Sequence, residues 1–273
     1  MKKRNDNNDE LSFGFTEFQK DFLEEYQQFI LEVSSFPDLI ELLFKETGVE
    51  DLHRSVIIVL ARQALDSFNE IFLLCSNGLG VGGLKILRGM YERVVTLKYL
   101  ADNPDKLDAF LEYTYVHRHK LIQHLTDEEI NKYFSKEQVE EIKKQYQAVR
   151  DNYLMVTCNK CKKKRVSQSW TKMTLKNMAA QVKLGDQYIL AHFHPTLFLH
   201  TTEVGLSHST KQVSPGIAEY SKDYQKKEVG NTLQISHLLV IHVLDTLNEH
   251  FYGDKYEPEL IKMVKRFGVL WQC

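Results

Sequence analysis

Arg88 and Glu92 stand four residues apart in LRGMYERVVTLKYL, a stretch rich in apolar residues. At 3.6 residues per turn the two share one helix face, within reach of an ion pair. Arg62 and Asp66 repeat the spacing one segment earlier. Two such pairs on adjacent core helices predict one buried polar network, which is costly unless every charge in it is partnered. The chemistry is then either a structural ion-pair network or a polar cavity that takes an anionic ligand. Histidine adds proton-transfer capacity, because imidazole titrates near neutrality and also binds metals. His192, His194, His200 and His208 crowd one short segment, and His117, His119 and His124 crowd another. Arg118 and His124 are separated by five residues. Six steps on a straight helix amount to about 600°, so that pair lies about 120° apart and acts together only through a bend or a second subunit.

Three further motifs bear on ligands. Cys158-Asn-Lys-Cys161 offers two thiolates, half of a tetrahedral zinc site. No second Cys-x-x-Cys exists, so further ligands would have to come from histidines such as His192 or His194, and an ordinary exposed turn is the competing reading. Lys160, Lys162, Lys163, Lys164 and Arg165 form the densest positive run of the chain. Such a run is either a solvated face or a set of phosphate contacts, whose binding weakens steeply with salt. Trp170 follows it, placed to stack on a base or to anchor the loop to the core. The glycine-rich NGLGVGG, residues 77–83, has neither a preceding strand nor the Gly-Lys-Ser/Thr ending of a phosphate loop, and reads as a tight turn between helices.

The elements that must position these residues are helices. Only five prolines and 13 glycines interrupt long intervals of apolar residues at helical spacing. Phe18, Phe22, Tyr26, Ile30 and Val33 give one apolar face over 15–33, and Pro37 opens a short helix over 38–45. A central helix over 50–76 and a second over 84–102 flank the glycine turn and make an antiparallel hairpin. A helix follows from Asn103 to about Leu125, then two starts marked by the capping boxes Thr126 with Glu129 and Ser135 with Gln138. Residues 157–171 read as an irregular insertion, with short helices over 175–183 and 187–204 and a loop to about Pro215. In the long helix over 228–251, Leu233, His237, Val240, Leu244, Leu247 and Phe251 form a seam suited to pairing with another helix. A closing helix spans 258–267. The fold expected is all-α, a single-domain multi-helix bundle over 13–273 behind a disordered tail over 1–12.

Composition excludes several classes. With 43% hydrophobic and 26% charged residues, the chain is neither disordered nor a disulfide-dense mini-protein. A net charge of −2 predicts no global attraction to nucleic acid or anionic lipid, so such binding has to come from a local patch. Four cysteines and no apolar run behind MKKRNDNND point to a reducing, cytoplasmic setting, and no apolar stretch approaches the roughly 20 residues that cross a bilayer.

In combination, Arg62, Gly78, Arg88 with Tyr91 and Glu92, Trp170, Tyr188 and His200 resemble an uncharacterised bacterial all-helical family known only as a domain of unknown function. The resemblance covers about Arg54 to His200. Thr196 stands where that family usually has serine, and the Cys-x-x-Cys with its basic run is a local elaboration. What the resemblance implies is an all-helical cytoplasmic protein whose polar residues converge from distant segments, with no established reaction. The Arg118…His124 spacing, with a polar residue directly after the arginine, is more loosely similar to HEPN-type helical ribonucleases. One expectation is therefore an RNA-directed endoribonuclease of a toxin or phage-defence system, with Arg88, Glu92 and His200 catalytic, Arg118 and His124 as a reserve pair, Lys160 to Arg165 on RNA, and no cofactor. The other is a non-catalytic partner-binding module in which Arg62, Asp66 and Tyr188 belong to a structural polar network and the seam from Leu233 to Phe251 makes a homodimer.

Overall fold

The computed structural model describes residues 16–45, 51–157, 160–200, 202–221 and 225–272; the tail expected over 1–12 lies outside them, as does Cys158. The first apolar stripe forms helix in two pieces, α1 (Thr16–Glu25) and α2 (Gln27–Val33). α3 (Phe36–Lys45) carries Pro37 in its first turn, where the missing N–H leaves no bond unmade. Asp51 begins α4 (Leu52–Ser76) by accepting from the Arg54 amide at 3.1 Å.

The glycine turn is shorter than its sequence predicts. α5 (Gly80–Asp102) begins inside it, and of the glycines there only Gly78 has a left-handed φ, 73°. Gly80 and Gly83 act through their lack of bulk. A Cβ on Gly83 would stand 3.1 Å from Cys75 Sγ and 3.0 Å from Thr232 Cγ2. α4 and α5 thereby run antiparallel as the expected hairpin, joined again where Arg93 Nη1 donates to Ser67 Oγ at 3.1 Å.

The chain divides into two compact units, residues 99–185 and residues 1–98 with 186–273. In the first of these, α6 (Leu107–Gln123) packs on α8 (Lys136–Val149), with α7 (Asp127–Tyr133) between them in sequence. Both predicted capping boxes are formed, Thr126 with Glu129 and Ser135 with Gln138. The segment read as irregular over 157–171 holds β2 (Lys164–Val166), which pairs antiparallel with β1 (Leu154–Val156) just before it, and α9 (Leu175–Gln181) follows. Tyr113, Val116, Val149 and Tyr153 make this unit's core. Trp170 stands edge-on to Tyr99 at 5.6 Å and to Phe110 at 5.3 Å, so it anchors its loop.

The other unit is built on α4, α5 and the C-terminal helices. Its middle segment has a π-helical turn (Ile189–Phe193), α10 (His194–Leu199), α11 (Glu203–His208) and a second hairpin, β3 (Thr210–Ser214) with β4 (Ile217–Tyr220). α12 (Val229–Tyr252) then packs along α4 and beside α13 (Glu257–Trp271). The seam expected to pair with a second copy is filled from within the chain: Leu233, His237, Val240, Leu244 and Leu247 are all buried. Phe251, at its end, lies under the Arg54 guanidinium at 4.8 Å. Among the described residues no helix is long and apolar enough to cross a membrane.

Candidate functional site

The predicted pair on α5 is present and has a third member. Arg88 Nη2 and His192 Nε2 both lie 3.1 Å from the same oxygen, Glu92 Oε1. An ionised carboxylate only accepts, so the geometry places the imidazole proton on Nε2 and leaves the Nδ1 lone pair free. That Nδ1 is shielded from solvent and has no hydrogen-bond partner among the described residues, and the same holds for Arg88 Nε. Solvent access is graded across the cluster, with side-chain exposures of 43% for Glu92, 30% for Arg88 and 15% for His192. Burial holds the His192 pKa below its ordinary value; Glu92 pulls it back up and Arg88 pushes it down. The imidazole is therefore neutral near pH 7.

Two tyrosines wall the histidine. The Tyr188 ring stacks on His192 at 5.1 Å, and Tyr91, fully buried, lies 6.3 Å from it and edge-on to Tyr188 at 6.5 Å. Burial raises the Tyr91 hydroxyl pKa, with Tyr188 adding to the shift, so Tyr91 stays protonated. Local sequence explains how His192 reaches Glu92. Pro195 has no N–H and its ring crowds the carbonyl four residues back, which favours a widened turn just before it. The turn that results is π-helical, with the His194 amide bonded to the Ile189 carbonyl five residues back. Just after it, the Thr196 hydroxyl donates to the His192 carbonyl at 2.6 Å.

The other expected site residues lie elsewhere. His200 is exposed at the end of α10, and the histidine bonded to Glu92 is His192. Arg62 and Asp66 are also exposed, with Arg62 over the Phe44 ring at 4.4 Å. In place of the predicted α4–α5 network, the cluster joins α5 to the π-helical turn. The reason is angular: α4 buries Ile57, Ala61, Ala64, Leu65, Phe68, Ile71 and Cys75, and positions 62 and 66 fall on the opposite face. Arg118 and His124 are exposed on α6 and at its C-cap, and no hydrogen bond joins them among the described residues. Lys160, Lys162, Lys163, Lys164 and Arg165 project as exposed side chains from the tip and second strand of the β1–β2 hairpin. Cys161 is exposed, and among the described residues no group of His, Cys, Asp and Glu is arranged to hold a metal ion.

A second imidazole–carboxylate cluster escaped sequence reasoning. Glu228, buried, has His194 Nε2 at 3.4 Å from one oxygen and His208 Nε2 at 3.2 Å from the other. The crowding of histidines between 192 and 208 was its only trace in the sequence. The crowd divides by partner, His192 to Glu92, His194 and His208 to Glu228, and His200 to solvent.

No curated protein and no solved structure matches the chain. A family model does, over residues 53–216, a span that holds Arg88, Tyr91, Glu92, Tyr188 and His192 but ends before Glu228. The chain therefore belongs to a family of unknown function, DUF5677.

Proposed function

We propose that the Arg88–Glu92–His192 cluster is the proton-transfer site of a metal-independent endoribonuclease acting on cytoplasmic RNA. The observation that carries this reading is the shared Glu92 oxygen, which fixes a cation and a neutral imidazole side by side. His192 Nδ1 takes the proton of a ribose 2′-hydroxyl as O2′ attacks phosphorus. The O2′–P bond forms, the P–O5′ bond breaks, and the same proton passes from the imidazolium to the departing O5′. Arg88 meets the charge that develops on the phosphorane oxygens. On the other unit, the exposed lysines and Arg165 of the β1–β2 hairpin offer RNA phosphates a separate set of contacts. Because Nδ1 is shielded, the π-helical turn has to shift to admit a ribose.

A non-catalytic reading rests on that same shielding together with the exposed apolar side chains Ile189, Leu190 and Phe193 around it. In that case the cluster only braces the turn and the protein acts by docking a partner. Cleavage of a labelled single-stranded RNA at low salt separates the two. The wild-type chain cleaves; Arg88→Ala and His192→Ala lose about 10²-fold or more in rate while melting close to wild type, and His200→Ala cleaves normally. No cleavage by wild type, or full activity in His192→Ala, removes the nuclease reading.

A further inference from the structure

The unit formed by residues 99–185 carries a groove of about 610 Å³ between α6 and α8. Its floor is apolar, made by Leu121, Phe134 and Ile142, and Leu121 is 52% exposed there. Glu137 and Glu141 border it on the α8 side and Arg118 on the α6 side. None of these three charges belongs to an ion pair among the described residues, whereas Glu140 beside them is paired with Lys143 at 2.9 Å. Glu141 accepts only from the neutral Gln145 amide, and the Ser135 hydroxyl holds the Glu137 carboxyl below its ordinary pKa. With no basic side chain on either among the described residues, both carboxylates are open to a partner's cations. They stand one helical turn apart, about 6 Å along α8.

We propose that this groove docks a short amphipathic helix of a protein partner, one that carries Lys or Arg a turn apart beside an apolar stripe. The apolar side chains seat on Leu121, Phe134 and Ile142, and the cations face Glu137 and Glu141. An exposed apolar floor needs an occupant with an apolar face, and the rim, with two negative charges against one positive, sets that occupant's sign. The spacing of the carboxylates matches a helix, whose side chains recur on one face every turn. The proposal is independent of the nuclease reading, since it involves none of Arg88, Glu92 or His192.

Fluorescence anisotropy with the full chain tests it, using a synthetic helical peptide with leucines at i and i+4 flanked by lysines, and its twin with glutamates in place of the lysines. The lysine peptide binds at least tenfold tighter than its twin at low salt. Glu137→Lys with Glu141→Lys reverses the preference at the cost of a small drop in melting temperature, since both side chains are exposed but Glu137 sits in the first turn of α8. Arg118→Glu tightens the lysine peptide further, and Leu121→Asp weakens both peptides. Equal binding of the two peptides, binding of neither, or a preference that survives the charge reversal overturns the proposal. So does a concentration-dependent dimer of the chain that Leu121→Asp dissociates, because the occupant is then a second copy.

Discussion

At the scale of single residues, the Glu92 oxygen does two opposed things to one imidazole. Its charge stabilises protonated His192, while the arginine it holds destabilises it, and burial outweighs both in lowering the pKa. The directions are separable by substitution. Glu92→Gln removes the stabilising charge, so the His192 pKa falls further. Arg88→Ala removes the opposing cation, so it rises. Titration of the His192 ring resonances by NMR reads both shifts, and equal or same-sign shifts would show that the three groups do not interact as their distances imply. Any activity that uses neutral His192 keeps its rate above that pKa and loses it as pH falls through it. The acid limb therefore moves down in Glu92→Gln and up in Arg88→Ala. The Arg88–Glu92 half of this site was legible in the sequence, because an i,i+4 pair needs only the helical period. His192 was not, since it arrives from a hundred residues away through a turn that departs from that period. The departure has a sequence cause in Pro195, but its direction depends on where α5 lies.

At the scale of elements, spacing predicted helices well and predicted poorly where an element ends or faces. The α4 and α12 periodicities, the hairpin and both capping boxes stand as read, because each rests on local chemistry. The two β-hairpins were missed. β1 and β2 are three residues each and the exposed faces of β3 and β4 carry little apolar alternation, so neither leaves a period-2 pattern. The glycine-rich segment is the turn its sequence predicts, with Gly78 left-handed and Gly80 and Gly83 serving close packing. Gly80 is the sharpest case. A Cβ there would stand 2.5 Å from the Gln225 carbonyl oxygen and 2.6 Å from the Val229 nitrogen, both backbone atoms that yield only if the start of α12 moves. Gly80→Ala is expected to cost about 1–3 kcal/mol, as overpacking does. At Gly82 the nearest contact is the flexible Leu74 side chain at 3.6 Å, and Gly82→Ala is expected to be neutral or to stabilise by up to about 1 kcal/mol through helix propensity. Urea unfolding of the two variants beside wild type decides it; similar midpoints for both would mean that the α5 start tolerates a methyl group.

At the scale of the whole molecule, the buried His237 and the half-buried His242 on α12 tie stability to pH. His237 is fully buried, ringed by Phe29, Phe36 and Phe267, and accepts from Trp271 Nε1 at 3.2 Å. Burial pushes its pKa down to about 4. His242 on the same helix is likewise pushed down to about 4, by burial first and by the Lys98 charge second. In the unfolded chain each titrates near about 6.5. Between those values the unfolded chain binds more protons than the folded one, so stability rises with pH across that window. Stated in the other direction, the contribution of each neutral imidazole is complete above about pH 6.5 and is lost as pH falls toward about 4, on the order of 3 kcal/mol per histidine over the whole interval. The exposed carboxyls held below their ordinary values, Asp105, Glu129 and Glu137, lose their contributions at still lower pH and leave this window to the histidines. Urea midpoints measured at pH 7.0, 5.5 and 4.5 should therefore fall steadily for wild type. His237→Phe with His242→Leu should flatten that dependence whatever the double variant does to the midpoint at pH 7.0, because neither replacement can take up a proton. A slope unchanged by the double variant would place the acid sensitivity elsewhere, with His192, whose pKa burial also lowers, the next imidazole to replace.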